Sequence, residues 1–491
     1  MEKILTSGKS FIDEYGRERI FNGVNICDKG CFAGVDRVYN TKWDEEMLKK
    51  LKANGVNIVR LGITWDAVEP VPGEYDEDYL NAVGGFLDKC LEYGIYAYID
   101  MHQDLYSGFG CGVGDGAPAW ACMTDGAKRH KTRIVWAEGY FWGKAVHRAF
   151  DNFWDNKLCG KKGLQDYYAD MWQHIADKFK DHPALFGFDM MNEPFPGTEG
   201  GKVFRTVVKN LIKVTLTDKR IDKIRLVKDA FCKDRRIGIL EMYTGDVLRK
   251  ITSAADSIIY DFDTKKYAPF LEKVSTSIRE VTDDGILFID NSYYSNLGIP
   301  FSAPAIKVNG KRDPKQCFAP HAYDLFVDTP LYKYANNSRV GAIFAEHKNA
   351  QERLDVPVIV GEWGGNSTGT DWLPHIEFLL DLFDANKWSF TYWEHSAYVN
   401  NQPLYEVLKR PYPKAVTGVI ESFKHDRQAA RFTLSYTQDK AFSVPTEIFL
   451  PHEPKAIECD GEYTLEKIEG TEGYNLLINT QAGSHKVCVA L

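Results

Sequence analysis

The chain lacks several things, and each absence narrows the field. No run of about 18 apolar residues occurs in its 491 positions, so no membrane-spanning helix is expected. The segment from Met1 to Lys9 has no basic stretch followed by a long apolar core. It does not read as a secretory leader, and the expectation is a cytoplasmic protein, or a secreted one whose leader has been removed. Ten cysteines in so long a chain make no dense framework. Cys27 and Cys31 lie close together, but no second pair stands at metal-ligand spacing, so free buried thiols are expected rather than disulfides or a metal site. There is no long basic run, and the net charge is −9. Nucleic acid, which would need a positive face, is set aside as a partner, and the charge reads as a solvated acidic surface. Tryptophan is absent beyond Trp393, and no internal repeat or low-complexity segment appears.

What is present is a globular composition, 44% apolar and 26% charged. Single cores stop growing near roughly 250–300 residues, so more than one domain is expected. Short β-rich runs alternate with longer amphipathic stretches, the pattern of β/α units. Strands are read at 21–26, 57–63, 95–102, 185–193, 286–290, 317–323, 358–363 and 388–393. Helices are read at 43–53, 79–93, 167–179 and 377–386, the first two ending at Gly55 and Gly94 as C-caps. Two connections, 103–165 and 194–285, are too long for simple loops and should stand over the C-terminal face of a barrel. Near Pro411-Tyr412-Pro413 regular structure should break. Beyond it lie short alternating strands at 431–436, 447–450, 474–478 and 485–489. The expectation is an α/β protein: a (β/α)8 TIM barrel over 1–410 and a small antiparallel β-sandwich over 411–491. Without tryptophan, the tail reads as a structural cap rather than a sugar-binding module.

Two strand ends carry chemistry. The fourth runs into Asp189-Met190-Met191-Asn192-Glu193-Pro194, the seventh into Val360-Gly361-Glu362-Trp363-Gly364-Gly365. Alone, either motif is weak, since a Glu before Pro often caps a loop. Together, at the C-terminal ends of two barrel strands, they supply the pair of carboxylates that glycoside hydrolysis requires. Two such acids need no metal, so no cofactor is expected.

The chain resembles the retaining β-glycosidases of glycoside hydrolase family 5, which include many cellulases, and within them the endoglycoceramidases. The resemblance rests on Asn22-Gly23-Val24-Asn25 with Lys29, Met101-His102-Gln103-Asp104, Phe150-Asp151-Asn152-Phe153-Trp154, Met191-Asn192-Glu193-Pro194-Phe195, Pro320-His321-Ala322-Tyr323-Asp324, Gly361-Glu362-Trp363-Gly364, Tyr392-Trp393 and Arg410-Pro411-Tyr412-Pro413. It implies Glu193 as acid/base and Glu362 as nucleophile. Asn192 would bond the sugar 2-hydroxyl, and Arg60 and Tyr323 would hold the nucleophile. His102 and His321 would surround the cleavage subsite, with Trp393 as its aromatic floor. Lys29, Asp104 and Trp154 would grip sugar hydroxyls or rings. Arg60 should favour the ionised form of Glu362, and the negative Glu362 should raise the pKa of Glu193.

The resemblance implies a glycosphingolipid substrate cut between glycan and ceramide, and with it transient contact with a membrane surface. The aromatic loop 108–143, with Phe109, Trp120, Met123, Trp136, Tyr140, Phe141 and Trp142, either lines an apolar groove or packs the loop's base. Other readings stay open: an intracellular glucosylceramidase or sterylglucosidase, a β-glucan or mannan endo-hydrolase on the same barrel, or a catalytically dead glycolipid-binding protein.

Overall fold

The computed structural model describes residues 1–33, 36–39, 43, 45–133, 135–232, 235–327, 329–365, 369–395 and 403–491, with backbone alone for 31–33 and 36. Its centre is a parallel barrel. In chain order the strands are Asn22–Cys27, Ile58–Thr64, Tyr96–His102, Leu185–Asp189, Ile286–Asp290, Gln316–Ala319 continued by His321–Ala322, Ile359–Val360 continued by Glu362–Trp363, and Ser389–Tyr392. Each pairs with its neighbours in sequence, and the eighth returns to the first through Thr391↔Gly23. The sixth and seventh close the ring through Phe318↔Val358 and His321↔Glu362.

Side chains alternate across each strand, and that period of two sorts the barrel. On the second strand Val59, Leu61 and Ile63 face the helices. Ile58 faces inward with Tyr96, Tyr98, Phe186, Ile286 and Phe288, and Phe11 and Phe21 plug the bottom of this cluster. Above it, toward the C-terminal ends, the inward positions turn polar: Arg60, Asp100, Asp189 and Asp290, all buried. The surrounding helices follow from apolar spacing and caps. In Glu77–Tyr93 the Asp76 side chain accepts from the Tyr79 N–H, Gly94 closes the end at φ +67°, and Leu80, Val83, Phe86, Leu87 and Cys90 are buried. Each such large side chain contributes about 1.5–3 kcal/mol.

Two details differ from the sequence expectation. The fourth strand stops at Asp189 rather than reaching Glu193. Beyond it the chain turns, and Glu193 itself has φ +43°. The Pro411-Tyr412-Pro413 segment does not break the structure either: Tyr412–Val416 is a strand. Pro413 pairs with Ile448 beside a bulge at Lys414, where the register slips before Ala415↔Glu447, and a strand proline is tolerated next to such an irregularity.

The tail is a sandwich of two antiparallel sheets. One has four strands: Val419–Asp426, Arg431–Gln438, Gly483–Ala490 and Ala456–Cys459. The other has seven, and three of these come from the opposite end of the chain: Ile4–Ser7, Ser10–Asp13 and Glu18–Arg19. The last of them pairs with Tyr412–Val416 through Ala415↔Arg19, so strand pairing crosses the expected division at 410/411.

Candidate active site

Above the polar layer, at the C-terminal ends of the strands, lies a cleft of about 370 Å³. Its lining combines polar groups, among them Lys29, His102, Asp104, Asn192, Glu193, Asn296, Tyr323 and Glu362, with the aromatic Trp393 and the apolar Val135, Trp136, Phe141, Leu297, Leu325 and Val327.

Arg60 organises the floor. From the second strand it is fully buried, with Nη1 donating to Glu362 Oε1 at 2.6 Å, Nε to Asp189 Oδ2 at 2.9 Å and Nη2 to Asn192 Oδ1 at 2.9 Å. Asp100 lies 3.0 Å from Nη2. Glu362 is held a second time, by Tyr323 Oη donating to Oε2 at 2.9 Å. Gly361 leaves room for this strand crossing, since a Cβ there would lie 2.7 Å from His321 Nε2.

Glu193 approaches from the fourth strand. Its backbone N–H donates to Asp290 Oδ2 at 3.1 Å, and the Gln103 amide donates to the carbonyls of Asn192 and Glu193 at 2.9 and 3.2 Å. These contacts hold a left-handed conformation that a glutamate adopts only at a cost. Asn296 Nδ2 donates to its Oε1 at 2.5 Å, and His321 Nδ1 lies 3.0 Å from the same oxygen. A Glu193 oxygen, a His321 nitrogen and a Glu362 oxygen all lie within 4.8 Å of one another. That suits the ~5–5.5 Å carboxyl spacing of double displacement.

Burial pushes the Glu193 carboxyl up to about 7, and the Asp104 carboxylate adds to it. From sequence alone this rise is expected from the charge of Glu362; its first cause is instead desolvation by burial. Burial pushes His321 down to about 3, so it is a neutral imidazole. His102 goes the other way. Burial and Lys29 oppose its charge, but Asp100 and Asp104 prevail and hold it up to about 10. His102 Nδ1 lies 2.8 Å from Asp100 Oδ2, and its ring stacks on Trp393 with centroids 5.2 Å apart. Lys29 bridges Asp104 and Asp115, with its Nζ 4.9 Å from the Trp393 ring centroid. His102, Asp104 and Asp115 have metal-ligating atoms within 4.8 Å of one another, but the Lys29 ammonium already supplies the cation there.

The structure thus brings ten of the eleven expected residues into or directly beneath the cleft. Arg60 and His321 are its floor rather than its lining. Trp154 is the exception. It ends the helix Lys144–Trp154 on the side facing Phe262 and Phe270, and its Nε1 donates to the Phe195 carbonyl at 2.8 Å. It props the turn after Glu193 from behind and is not part of the lining of this cleft. The aromatic loop divides: Trp136 and Phe141 line the cleft, whereas Tyr140 is buried and Trp120 packs on Trp65. Asn296, Gln103, Asp290 and Asn25, whose Oδ1 accepts from Arg60 Nη1 at 3.2 Å, carry no role in the sequence reading. Gln103 and Asn25 sat inside recognised motifs. Asn296 carried no local signal, because only the fold brings it to Glu193.

The family profile described as Cellulase (glycosyl hydrolase family 5) matches residues 12–230 and 246–399, and that of the Glycoside hydrolase family 5 C-terminal domain matches 410–489. The chain is 23% identical over 477 residues to Endoglycoceramidase I of Rhodococcus hoagii (strain 103S), covering 93% of this chain and 82% of that protein. It is 32% identical over 212 residues to Endoglycoceramidase of Cyanea nozakii, 38% of this chain; it spans only 41% of that relative's length. Among solved structures it is similar to Endo-glycoceramidase II from Rhodococcus sp. in its ganglioside GM3 complex, at 25% identity and TM-score 0.74 over 99% of each chain. The same enzyme solved as its lactosyl-enzyme intermediate gives TM-score 0.75, with the same identity and coverage. With both profiles spanning most of the sequence, the chain belongs to glycosyl hydrolase family 5.

Proposed function

We propose that this chain is a retaining glycosidase that cleaves the β-glycosidic bond between glycan and ceramide of glycosphingolipids, with Glu193 as general acid/base and Glu362 as nucleophile. The observation that carries the reading is two carboxylates with an oxygen of each within 4.8 Å of the other, in a cleft lined by both polar and large apolar side chains. Such a mixed lining suits a head of sugar hydroxyls joined to a lipid tail.

The chemistry follows from the contacts. Glu362, fixed at both oxygens, attacks the anomeric carbon as the bond to the lipid oxygen breaks. Glu193 delivers its proton to that oxygen. Its Oε1 is engaged by Asn296 and His321, and no hydrogen bond from the described residues reaches Oε2; the proton leaves from Oε2. Ceramide departs, and the glycan is left as an ester on Glu362. Glu193, now ionised, takes a proton from water as its oxygen attacks the anomeric carbon, and the ester breaks with net retention. Trp393, backed by the stacked His102 ring, is the aromatic surface for a sugar ring, and Asn192 is positioned for the 2-hydroxyl. The ganglioside GM3 complex and the lactosyl-enzyme intermediate of the relative support this casting. A substrate presented from a bilayer also brings the protein into transient contact with a membrane surface.

Incubation with lactosylceramide, glucosylceramide, gangliosides and carboxymethyl-cellulose, read by thin-layer chromatography, tests the reading. The expected products are ceramide and an intact glycan. NMR should show the β-anomer first. Release of terminal monosaccharides alone, or a first-formed α-anomer, would sink it.

A further inference from the structure

Residues 198–232, in the connection after the fourth strand, carry nine Lys or Arg against four Asp or Glu, in a chain of net charge −9. All nine basic side chains are exposed. Among the described residues, Lys209, Lys213, Lys219 and Lys228 have no ion-pair partner. The same segment exposes apolar groups at helical spacing. Along the helix Thr198–Thr217, Val208, Ile212 and Leu216 recur every fourth position, the latter two 57% and 67% exposed. Along Lys223–Ala230, Ile224 and Val227 face water, and Phe231 follows at 85% exposed. These are not stray core residues. The inner face of the first helix is already filled, with Val207, Leu211 and Val214 packed against Val247 and Ile251.

Both helices adjoin the mouth of the cleft. Phe204 on the first stacks on Phe141, a cleft-lining ring, with centroids 4.7 Å apart, and it packs against the half-exposed Trp142. Ile224 on the second shares a shallow surface depression with Tyr334. Tyr334 in turn packs on Phe326, next to Leu325, a cleft-lining side chain that is 46% exposed.

We propose that the helical segment 198–232 docks on the surface of an anionic lipid bilayer, with the mouth of the cleft beside it at the headgroup layer. Cations alone would suit an acidic protein, and apolar side chains alone would suit a second copy of the chain. Lysines running beside an exposed apolar stripe suit a helix lying in the lipid interface, where the stems reach headgroups and the stripe enters the acyl boundary. The proposal rests on the glycolipid reading of the cleft, because a bilayer is where a ceramide-anchored substrate resides.

The test uses the full chain and vesicles without glycolipid, either phosphatidylcholine alone or with about a third phosphatidylserine, with bound protein measured by flotation. The unaltered protein should bind the anionic vesicles and weaken with salt. Lys209→Glu with Lys213→Glu, and separately Ile212→Asp with Phe231→Asp, should each lower partitioning about tenfold or more. Both variants should hydrolyse lactosylceramide in detergent micelles at the unaltered rate, since none of the four residues touches the cleft. Protein that stays in solution with every vesicle, or variants that bind as before, overturns the proposal. A dimer that Ile212→Asp dissociates, without vesicle binding, assigns the face to self-association and also overturns it. Vesicle binding that responds to the variants, with no turnover of micellar glycolipid, supports the docking surface and defeats the glycolipid reading instead.

Discussion

Asn296 donates to Glu193 Oε1 at 2.5 Å from the short turn Tyr293–Leu297 that follows the fifth strand, while Asp290 at the end of that strand accepts the Glu193 N–H at 3.1 Å. The fourth and fifth strands therefore jointly set the position and the proton affinity of one carboxyl group.

The pH profile should report that control. Under the proposed mechanism Glu193 must start protonated, so kcat/KM should fall as pH rises through about 7. The Asn296 amide favours the carboxylate form, so Asn296→Ala should move this basic limb to higher pH. The Asp104 charge disfavours the carboxylate form, so Asp104→Asn should move it to lower pH. Shifts in the same direction, measured on a soluble aryl lactoside, would refute the assignment.

Removing the acid and removing the nucleophile should look different. Glu362→Gln should lose turnover by orders of magnitude on every substrate. Glu193→Ala should cost about 10²–10⁴-fold on glycolipid. On a dinitrophenyl lactoside, whose leaving group needs no proton, its glycosylation step should stay close to normal, with slow hydrolysis of the glycosyl-enzyme seen as a burst. Equal losses for both substrates would count against Glu193 as the acid.

Arg60→Met strips the charge that Asp100, Asp189 and Glu362 share in a fully buried layer. Leaving buried carboxylates uncompensated should cost about 3–5 kcal/mol. Urea unfolding at neutral pH should show this as a lower midpoint; an unchanged midpoint would mean the layer is held otherwise.

The large apolar side chains of the cleft should matter only for a lipid. Trp136→Ser and Leu325→Ser should each lower kcat/KM on micellar lactosylceramide by about tenfold or more, the scale of one lost large apolar contact. The soluble aryl lactoside should be turned over as before. Equal losses on both substrates would show that these side chains serve the sugar or the fold.

Much of this was legible in the sequence because barrels put function at strand ends. Glu193, Glu362, His102 and Tyr323 stand at or just past the C-terminal ends of their strands, and local periodicity located those ends within a few residues. What escaped depended on distant chain. Which side of the helix Lys144–Trp154 faces the cleft is decided by packing against Phe262 and Phe270, so Trp154 was misplaced. Asn296 reaches Glu193 only after the barrel closes. The rise in the Glu193 pKa was assigned to its catalytic partner because a sequence gives no measure of desolvation, which the structure ranks first.

The pairing of Glu18–Arg19 with Tyr412–Val416 has a consequence for biosynthesis. The first of these strands must wait for a partner nearly 400 residues downstream. At about 5–20 residues per second that is roughly 20–80 s. Throughout this interval the three strands within Ile4–Arg19 can pair only with one another, and Phe11, destined for the barrel floor, has no completed barrel to enter. This segment of the nascent chain is therefore exposed until the strand Tyr412–Val416 has been made.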